Sequence, residues 1–361
     1  MIRFRFDAHP AESIALSYSP LLEATLSLHV LTVPKHHALQ HEWIRRARSL
    51  PSSLRKEIVR LSFAYSRLLP EFLAPTLSSV SYRSFEEELA ELSRLDEGTV
   101  ALGFLRPLWD HGGRRDEALL EDEDVRRHVA TRVESEGADA ALAQLIFEAP
   151  ERLLQRFSSL LASYWEAAFE DEWARLEPRL ADTVADAGRR IAGDGLFTYL
   201  TGLSPQLLIE PRKREIRRDL PHEHTVEITP ASELVLVPSA YVWPHVRVNC
   251  DPPWPPAIVY PAPFLLREAQ SKLPSDEVVH VLRALADDTR LRALKLIADR
   301  PRSTQELAPL VGISEAGLSK HLRLLARSGL VQTKREGYYV LYSIDRERIE
   351  PLSDALLEFL G

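Results

Sequence analysis

The stretch from residue 303 to residue 344 constrains the fold of this chain more than any other part. It begins with Ser303 and, three residues later, Glu306, which is the pattern of a capping box at a helix start. Apolar residues then repeat at helical spacing on both sides of a short Gly312-Ile313 turn. They are Leu307, Leu310 and Val311 before the turn and Leu318, Leu322 and Leu325 after it. The pattern predicts two helices joined by a tight turn, the second from Glu315 to about Arg327.

Two helices joined by a short turn that contains glycine form a helix-turn-helix, whose second helix can enter the major groove of DNA. Two short strands are predicted next, at 330–333 and 338–344, around a turn made of Lys334, Arg335, Glu336 and Gly337. A hairpin with a basic tip after a helix-turn-helix is a wing. The combination is more specific than a helix-turn-helix alone, and it predicts a winged helix-turn-helix domain.

Residues from about Asp276 to Ile344 resemble the winged-helix domain of ArsR-type bacterial transcriptional regulators. The resemblance is carried by LRALADDTRLRALKLI at 282–297, STQELAPLVGIS at 303–314, GLSKHLRLLARSGLV at 317–331 and KREGYYVLYSI at 334–344. It covers about the last quarter of the chain. It implies a homodimer in which the first and last helices of the domain pack across a two-fold axis. Apolar residues in the last helix suit that role or, alternatively, cover their own domain; they are Ile349, Leu352, Leu356 and Phe359.

The resemblance also implies which residues contact DNA. In the second helix and its cap they are Ser314, Glu315, Ala316, Gly317, Ser319, Lys320, His321 and Arg323; in the wing they are Lys334, Arg335, Gly337 and Tyr338. Lysine and arginine suit phosphates or guanine edges, and Glu315 can accept a hydrogen bond from a cytosine amino group. The alternative is a winged helix that makes only protein contacts.

The net charge of −8 lies entirely before Asp276. From there to the end of the chain there are 13 Lys plus Arg and 13 Asp plus Glu, which leaves 32 basic and 40 acidic residues before it. Residues 316–335 contain no acidic side chain and five basic ones, which are Lys320, Arg323, Arg327, Lys334 and Arg335. Because local charge decides phosphate binding, this distribution favours double-stranded DNA as a partner.

The usual metal sites of ArsR-type regulators are not expected in this chain. The thiolate version needs cysteines near the start of the helix after Ser303, where Ser303, Gln305 and Ala308 stand instead. The other version needs histidines on the last helix, but His321 is the final histidine of the chain. The sequence therefore predicts neither a metal nor another cofactor.

The single cysteine, Cys250, excludes a disulfide within the chain. No run of apolar residues is long enough to span a bilayer, and the first residues, MIRFRFDAHP, lack the apolar segment of a signal peptide. These features predict a cytoplasmic protein with no membrane partner.

The predicted fold class is α+β and mainly helical. Residues 1–205 are predicted as a mainly helical region opened by a short strand, with the surest helix at 151–191 and a kink or division at Pro178. Residues 206–263 are predicted as a small β-rich part packed on it, an antiparallel sheet joined by the first strand. Its strands are expected at 207–209, 225–228, 234–237, 246–248 and 257–260. A connector at 264–275 then leads to the winged helix-turn-helix domain at 276–361.

The part before Asp276 offers weaker signals. His37 and His41 stand four apart on a predicted helix, a spacing that lets two imidazoles bind one metal, although solvated or capping histidines are the plainer interpretation. The basic run 212–218 can contact flanking DNA or an anionic effector, or form a charged surface. Aromatic residues near the β-rich part line a ligand pocket or belong to the core; they are Tyr199, Tyr241, Trp243, Trp254 and Tyr260.

The sequence shows no glycine-rich phosphate loop and no Gly-x-Ser-x-Gly elbow, and no catalytic residue is predicted. The preferred interpretation is a DNA-binding transcriptional regulator, and more specifically a repressor, that binds an inverted-repeat operator as a homodimer. Its N-terminal region is expected to sense an unknown small-molecule effector or to organise the dimer. The alternatives are an enzyme fused to a DNA-binding tail and a protein-interaction adaptor.

Overall fold

The structure is a computed structural model and describes residues 1–73, 83–109, 117–220, 223–250, 253–271 and 276–346. The chain divides into two units, Met1–Leu266 and Arg267–Gly361. The division falls inside the stretch 264–275 that the sequence marks as a connector. Within the described ranges, every helix is too short or too polar to cross a bilayer.

The N-terminal unit is mainly helical. Its helices are α1 (Pro20–Thr32), α2 (His41–Arg46), α3 (Ser52–Arg60), α4 (Phe85–Leu92), α5 (Glu97–Leu105), α6 (Glu123–Ser135), α7 (Ala140–Glu148), α8 (Pro150–Tyr164), α9 (Glu170–Asp194) and α10 (Leu196–Thr201); α11 (Pro263–Ser271) crosses the boundary between the units. Several begin at a side chain that accepts a backbone N–H, which satisfies donors that the helix itself leaves unpaired. These caps are Ser19, Ser84, Asp96, Asp122 and Asp139.

The long helix predicted at 151–191 is present as α8 and α9, joined by one π-helical turn at Trp165–Phe169. The division of the helix that Pro178 suggested is wrong, because α9 continues through that residue. Pro178 is exposed, so water can solvate the carbonyl that lacks a helical N–H partner. The π-helical turn adds a residue to the helix where Trp165 and Phe169 both face the core.

Within the described residues, the β-structure of the N-terminal unit forms two four-stranded sheets. The strands are β1 (Ile2–Phe6), β2 (Ile14–Leu16), β3 (Leu207–Glu210), β4 (Glu215–Arg218), β5 (His224–Ile228), β6 (Leu234–Ser239), β7 (Arg247–Asn249) and β8 (Ala257–Pro261). Their orders are β3-β4-β1-β5 and β2-β6-β8-β7. The single antiparallel sheet predicted from the sequence is wrong, since β1 runs parallel to β5, and β6 runs parallel to both β2 and β8. The helical region between β1 and β5 provides the long crossover that parallel pairing requires.

The second sheet lies between two apolar clusters. Every residue of β6 and β8 is buried, which is typical of parallel strands covered on both faces. Alternate residues face opposite sides: Val235 and Val237 join the helical core, whereas Leu234 and Leu236 join the cluster that contains β1. The sheet therefore separates the two apolar clusters of the N-terminal unit.

The C-terminal unit is a winged helix-turn-helix. Its elements are α12 (Asp276–Leu285), α13 (Asp288–Ile297), β9 (Arg302–Ser303), α14 (Thr304–Val311), α15 (Glu315–Arg327), β10 (Val331–Glu336) and β11 (Tyr339–Ile344). The three strands form one antiparallel sheet in the order β10-β11-β9. This unit and the helical N-terminal unit with its small sheets confirm the α+β, mainly helical fold class. The predicted last helix lies outside the described residues.

Candidate nucleic-acid interface

Capping residues that can be recognised in the sequence stabilise the helix ends of the helix-turn-helix. Ser303 Oγ accepts the backbone N–H of Glu306 at 3.2 Å, and Glu306 Oε2 accepts the backbone N–H of Ser303 at 3.0 Å. Gly312 ends α14 at φ +86°, in the left-handed region that glycine adopts without a steric penalty. This turn sets the direction of α15 relative to α14.

One face of α15 is anchored in the core. Leu318, Leu322 and Leu325 have no exposed surface, and Ser314 Oγ caps the helix by accepting the backbone N–H of Gly317 at 3.2 Å. Among the residues predicted to contact DNA, Ser314, Glu315, Ala316, Lys320 and Arg323 are exposed, whereas Gly317, Ser319 and His321 are half-buried. Because these leucines face the core, the small polar and the basic side chains of α15 lie on its opposite face.

His321 makes a contact that sequence reasoning missed. Its Nδ1 lies 3.6 Å from Asp287 Oδ1. Asp287 is also the cap of α13, because Oδ1 accepts the backbone N–H of Arg290 at 3.0 Å. That hydrogen bond, together with the charges of Arg290 and His321, lowers the pKa of Asp287 below its ordinary value. His321 thus links α15 to the start of α13. The sequence Asp-Asp-Thr at 287–289 is typical of a helix start, and it was the signal that could have identified Asp287 as a capping residue.

The wing differs from the sequence prediction at its tip. The predicted turn at 334–337 is wrong: Glu336 pairs with Tyr339, so the turn consists of Gly337 and Tyr338. Gly337 has φ +60°, as the first position of a two-residue hairpin turn requires. Lys334 and Arg335 therefore lie within β10 and, as neighbours in a strand, point to opposite faces.

The wing presents an exposed edge to solvent. All residues from 332 to 340 are exposed, and Tyr338 has its full side chain in solvent. Lys334 Nζ lies 3.0 Å from Glu336 Oε1 on the same face of β10, so the charge of Lys334 is partly offset. The larger share of the wing's positive field therefore comes from Arg335.

In the N-terminal unit, His37 and His41 do not share a helix. His37 lies between two short 3-10 helices, whereas His41 begins α2. The His37 side chain is buried, and its Nδ1 is 2.6 Å from the carbonyl oxygen of Trp243. Burial is the main reason that the pKa of His37 falls to about 4. The helical spacing that would let His37 and His41 bind one metal is therefore not present.

Part of the basic run 212–218 is paired within the protein. Glu210 pairs with Lys213 and Arg217, and Arg218 donates to Gln206 Oε1 at 2.7 Å. These contacts favour the interpretation of the run as a charged surface.

Three of the singled-out aromatic residues are core residues with hydrogen-bonded hydroxyls. Tyr199 and Tyr260 join their hydroxyls at 2.9 Å, and Tyr241 donates to Glu172 Oε1 at 3.0 Å. Burial is the main reason that the pKa of each of these tyrosines lies above its ordinary value. These three rings therefore belong to the core of the N-terminal unit.

Residues 287–333 match the family described as bacterial regulatory protein, arsR family, and residues 2–264 match the family of unknown function DUF5937. The transcriptional activator HlyU of Vibrio cholerae is 33% identical over 95 residues, which are 26% of this chain and 86% of HlyU. The chain belongs to the ArsR family through its C-terminal unit and to DUF5937 through its N-terminal unit. The regulator KmtR of Mycobacterium tuberculosis is 41% identical to the ArsR-family unit over 83 residues, 22% of this chain, and the chain spans 64% of KmtR.

Among solved structures, a homodimeric winged helix-turn-helix DNA-binding domain from Mycobacterium bovis, a possible ArsR-family regulator, is 33% identical to the ArsR-family unit. The match covers 26% of this chain and 83% of that domain, at a TM-score of 0.22.

Around the start of α14, where the thiolate metal site of ArsR-type regulators would lie, the side chains do not bind soft metals. Ser303 is a helix cap, and Ala308 is buried in the core of the unit. Across the parts of the chain that the structure describes, three or more His, Cys, Asp or Glu side chains nowhere converge on a point where a metal could bind.

Proposed function

We propose that this protein is a DNA-binding transcriptional regulator that inserts α15 into the major groove and places the wing on the neighbouring backbone. The observation that carries this proposal is the division of α15 into two faces. Leu318, Leu322 and Leu325 are fully buried, whereas Lys320 and Arg323 are exposed on the other side. Membership of the ArsR family supports the same conclusion.

Within the proposed complex, the first half of α15 reads base edges. The small side chains Ser314, Ala316 and Ser319 let the helix approach the base pairs closely, together with Gly317. Lys320 donates to a guanine edge or a phosphate, and Glu315 accepts from a cytosine amino group. On the wing, Lys334, Arg335 and Tyr338 contact the backbone, with Gly337 forming the turn that places them.

We propose that the protein binds as a homodimer to an inverted repeat. Leu282 on α12 supports this arrangement, because 40% of its surface is exposed although the neighbouring Val281 and Ala284 are buried. A two-fold dimer would place two copies of α15 about 34 Å apart, one helical turn of DNA. Leu282→Glu should shift the protein towards the monomer in analytical ultracentrifugation. A variant that remains fully dimeric would show that Leu282 is not part of the dimer interface.

Repression is the proposed direction of regulation, since a dimer across an operator blocks access to the promoter. HlyU is named an activator, so the direction needs its own test. A reporter gene behind the operator should be expressed more strongly when the regulator is deleted. Weaker expression on deletion would identify an activator. The proposed role of the N-terminal unit is to respond to an effector and alter the DNA affinity of the dimer.

The decisive variant for DNA contact is Lys320→Ala, because Lys320 is exposed and is not part of the core. Binding to DNA from upstream of its own gene should weaken about 10-fold or more, as expected when a base-edge hydrogen bond is removed. Lys56→Ala, which removes one exposed charge from α3, is the matched control. His321→Ala should be measured separately, because it also removes the contact with Asp287. Unchanged affinity for Lys320→Ala, measured by fluorescence anisotropy, would contradict the assignment of α15.

A further inference from the structure

The N-terminal unit contains a cavity of about 90 Å³. Its apolar wall comes from α1, from the segment 68–73 and from strand β8, through Leu22, Ala257 and Val259 among others. Its polar groups are Arg247, Asn249 and the Arg106–Glu71 ion pair. An apolar pocket with a few convergent polar groups is the usual form of a small-molecule site.

Asn249 is the only asparagine of the chain, and its amide is placed unusually. Both the Nδ2 donor and the Oδ1 acceptor are buried, and neither has a hydrogen-bond partner among the residues that the structure describes. Leaving a buried donor or acceptor without a partner costs about 1–3 kcal/mol. A side chain that offers one donor and one acceptor at a cavity wall is therefore matched to a ligand that carries both.

Arg247 stands two residues before Asn249 on β7, so both side chains leave the same face of the strand. Its Nη1 donates to the carbonyl oxygen of Arg67 at 2.9 Å, but its Nε is buried and has no partner in the described part of the chain. Burial lowers the pKa of Arg247 to about 10, so the guanidinium remains charged at neutral pH. Among the described residues, no carboxylate lies within ion-pairing distance of Arg247.

The titratable neighbours of Arg247 do not offset its charge. His29, His37 and His245 all have lowered pKa values, first because they are buried and also because Arg247 is close. Their neutral rings add no charge at pH 7. At the cavity itself, Arg106 is neutralised by Glu71. Among the described residues, the half-buried guanidinium of Arg247 is therefore a positive charge at the cavity that lacks a carboxylate partner, and this favours an anion.

We propose that this cavity binds a short-chain hydroxy acid. The carboxylate accepts hydrogen bonds from Arg247 Nε and Asn249 Nδ2, while the hydroxyl donates to Asn249 Oδ1. The hydrocarbon part lies against Leu22, Ala257 and Val259. Since a cavity of about 150 Å³ holds benzene, one of about 90 Å³ suits a molecule of roughly two to four carbons. The claim that this ligand is also the effector rests on the proposed function. The claim that the cavity binds it does not.

The test is isothermal titration calorimetry on the full chain with glycolate, lactate and 3-hydroxybutyrate. Each is paired with its hydroxyl-free acid, and lactate also with the neutral propane-1,2-diol. We expect at least one hydroxy acid to bind, its hydroxyl-free partner to bind about 10-fold more weakly, and the diol not to bind. If no hydroxy acid binds, or if the diol binds as well as lactate, the proposal is overturned.

Substitutions of residues that line the cavity test whether the ligand binds there. Arg247→Gln and Asn249→Leu should each weaken binding about 10-fold or more, whereas Arg45→Gln, an exposed arginine on α2, should not. Ala257→Leu fills the cavity without removing a polar group and should also abolish binding, because Ala257 pairs with Asn249 and lines the cavity. Tryptophan fluorescence checks that each variant is folded. Undiminished binding in a folded Ala257→Leu or a folded Arg247→Gln variant would overturn the assignment.

The effector role is tested separately. Anisotropy titrations on operator DNA, with and without the hydroxy acid that binds, should differ in affinity. Equal affinities would reject the effector role while the calorimetric result stands. Failure of the protein to bind any DNA specifically would instead reject the proposed function.

Discussion

Glu23 provides a test of how burial sets the pH dependence of stability. It lies on α1, is 1% exposed, and its Oε2 accepts the backbone N–H of Ala240 at 3.0 Å. Burial raises its pKa to about 8, against the opposing hydrogen bonds from Ser239 and Ala240. The folded state therefore keeps a proton that the unfolded state releases above about pH 4.5. Between these two values the free energy of unfolding falls by about 1.4 kcal/mol per pH unit as the pH rises.

Glu23→Gln removes this proton while the amide oxygen still accepts from Ala240. The difference in the free energy of unfolding between the variant and the wild type should rise by about 3 kcal/mol from pH 5.5 to pH 7.5. Glu88, whose pKa burial raises to about 7, adds a slope of the same sign to both proteins. His29 and His37, whose pKa values are lowered, add the opposite slope below about pH 6.5 to both proteins. These contributions cancel in the difference.

The assay is urea unfolding at pH 5.5, 6.5 and 7.5, followed by tryptophan fluorescence. All six tryptophans lie before residue 267, so the signal reports the N-terminal unit alone. Glu42→Gln, at an exposed position of α2, is the control and should leave the pH profile unchanged. If the profiles of Glu23→Gln and the wild type run parallel, the reasoning about the buried carboxyl is refuted.

The ArsR-family unit gives three more predictions. Leu322→Ala removes a fully buried side chain and should lower the stability of this unit by about 2–5 kcal/mol, seen as faster hydrogen exchange across 287–346. Ser303→Ala deletes one half of the capping box and should cost about 1 kcal/mol in the same measurement. Tyr338→Ala should change stability by less than about 0.5 kcal/mol but weaken DNA binding, because this side chain is fully exposed. Exchange that is unchanged in Leu322→Ala, or DNA affinity that is unchanged in Tyr338→Ala, would count against these roles.

The C-terminal unit could be predicted from sequence because its signals are local. The capping box of Ser303, the glycine at 312 and the leucine repeat of α15 all act within a few residues. The wing turn was misplaced because Lys334, Arg335 and Glu336 are polar enough to resemble a turn. In the structure, they are strand residues on an exposed edge. The two-residue turn at Gly337 decides where the chain reverses.

The sheets of the N-terminal unit could not be predicted, because their partners are distant in sequence. Ile2 pairs with Arg218 and with His224, and nothing near Ile2 encodes either choice. β2 has only three residues, and β4 was hidden in a basic run. The cavity was missed for the same reason, since Leu22, Leu68 and Arg247 meet only after the strands have paired. In the structure, Tyr199, Tyr241, Tyr260 and His37 are packed and hydrogen-bonded within the core.

The central claim is specific DNA binding by α15 and the wing, and the most direct test is a salt-dependent titration on DNA from upstream of the protein's own gene. We expect tight binding that resists competitor DNA. The log–log salt slope should become shallower by about 0.9 for each phosphate that a variant no longer neutralises. Arg335→Gln should therefore reduce the slope by about 0.9 per protomer, or about 1.8 in a dimer, whereas the exposed Arg45→Gln should not. Weak binding that is equal on every sequence, with the same slope in both variants, would contradict the account.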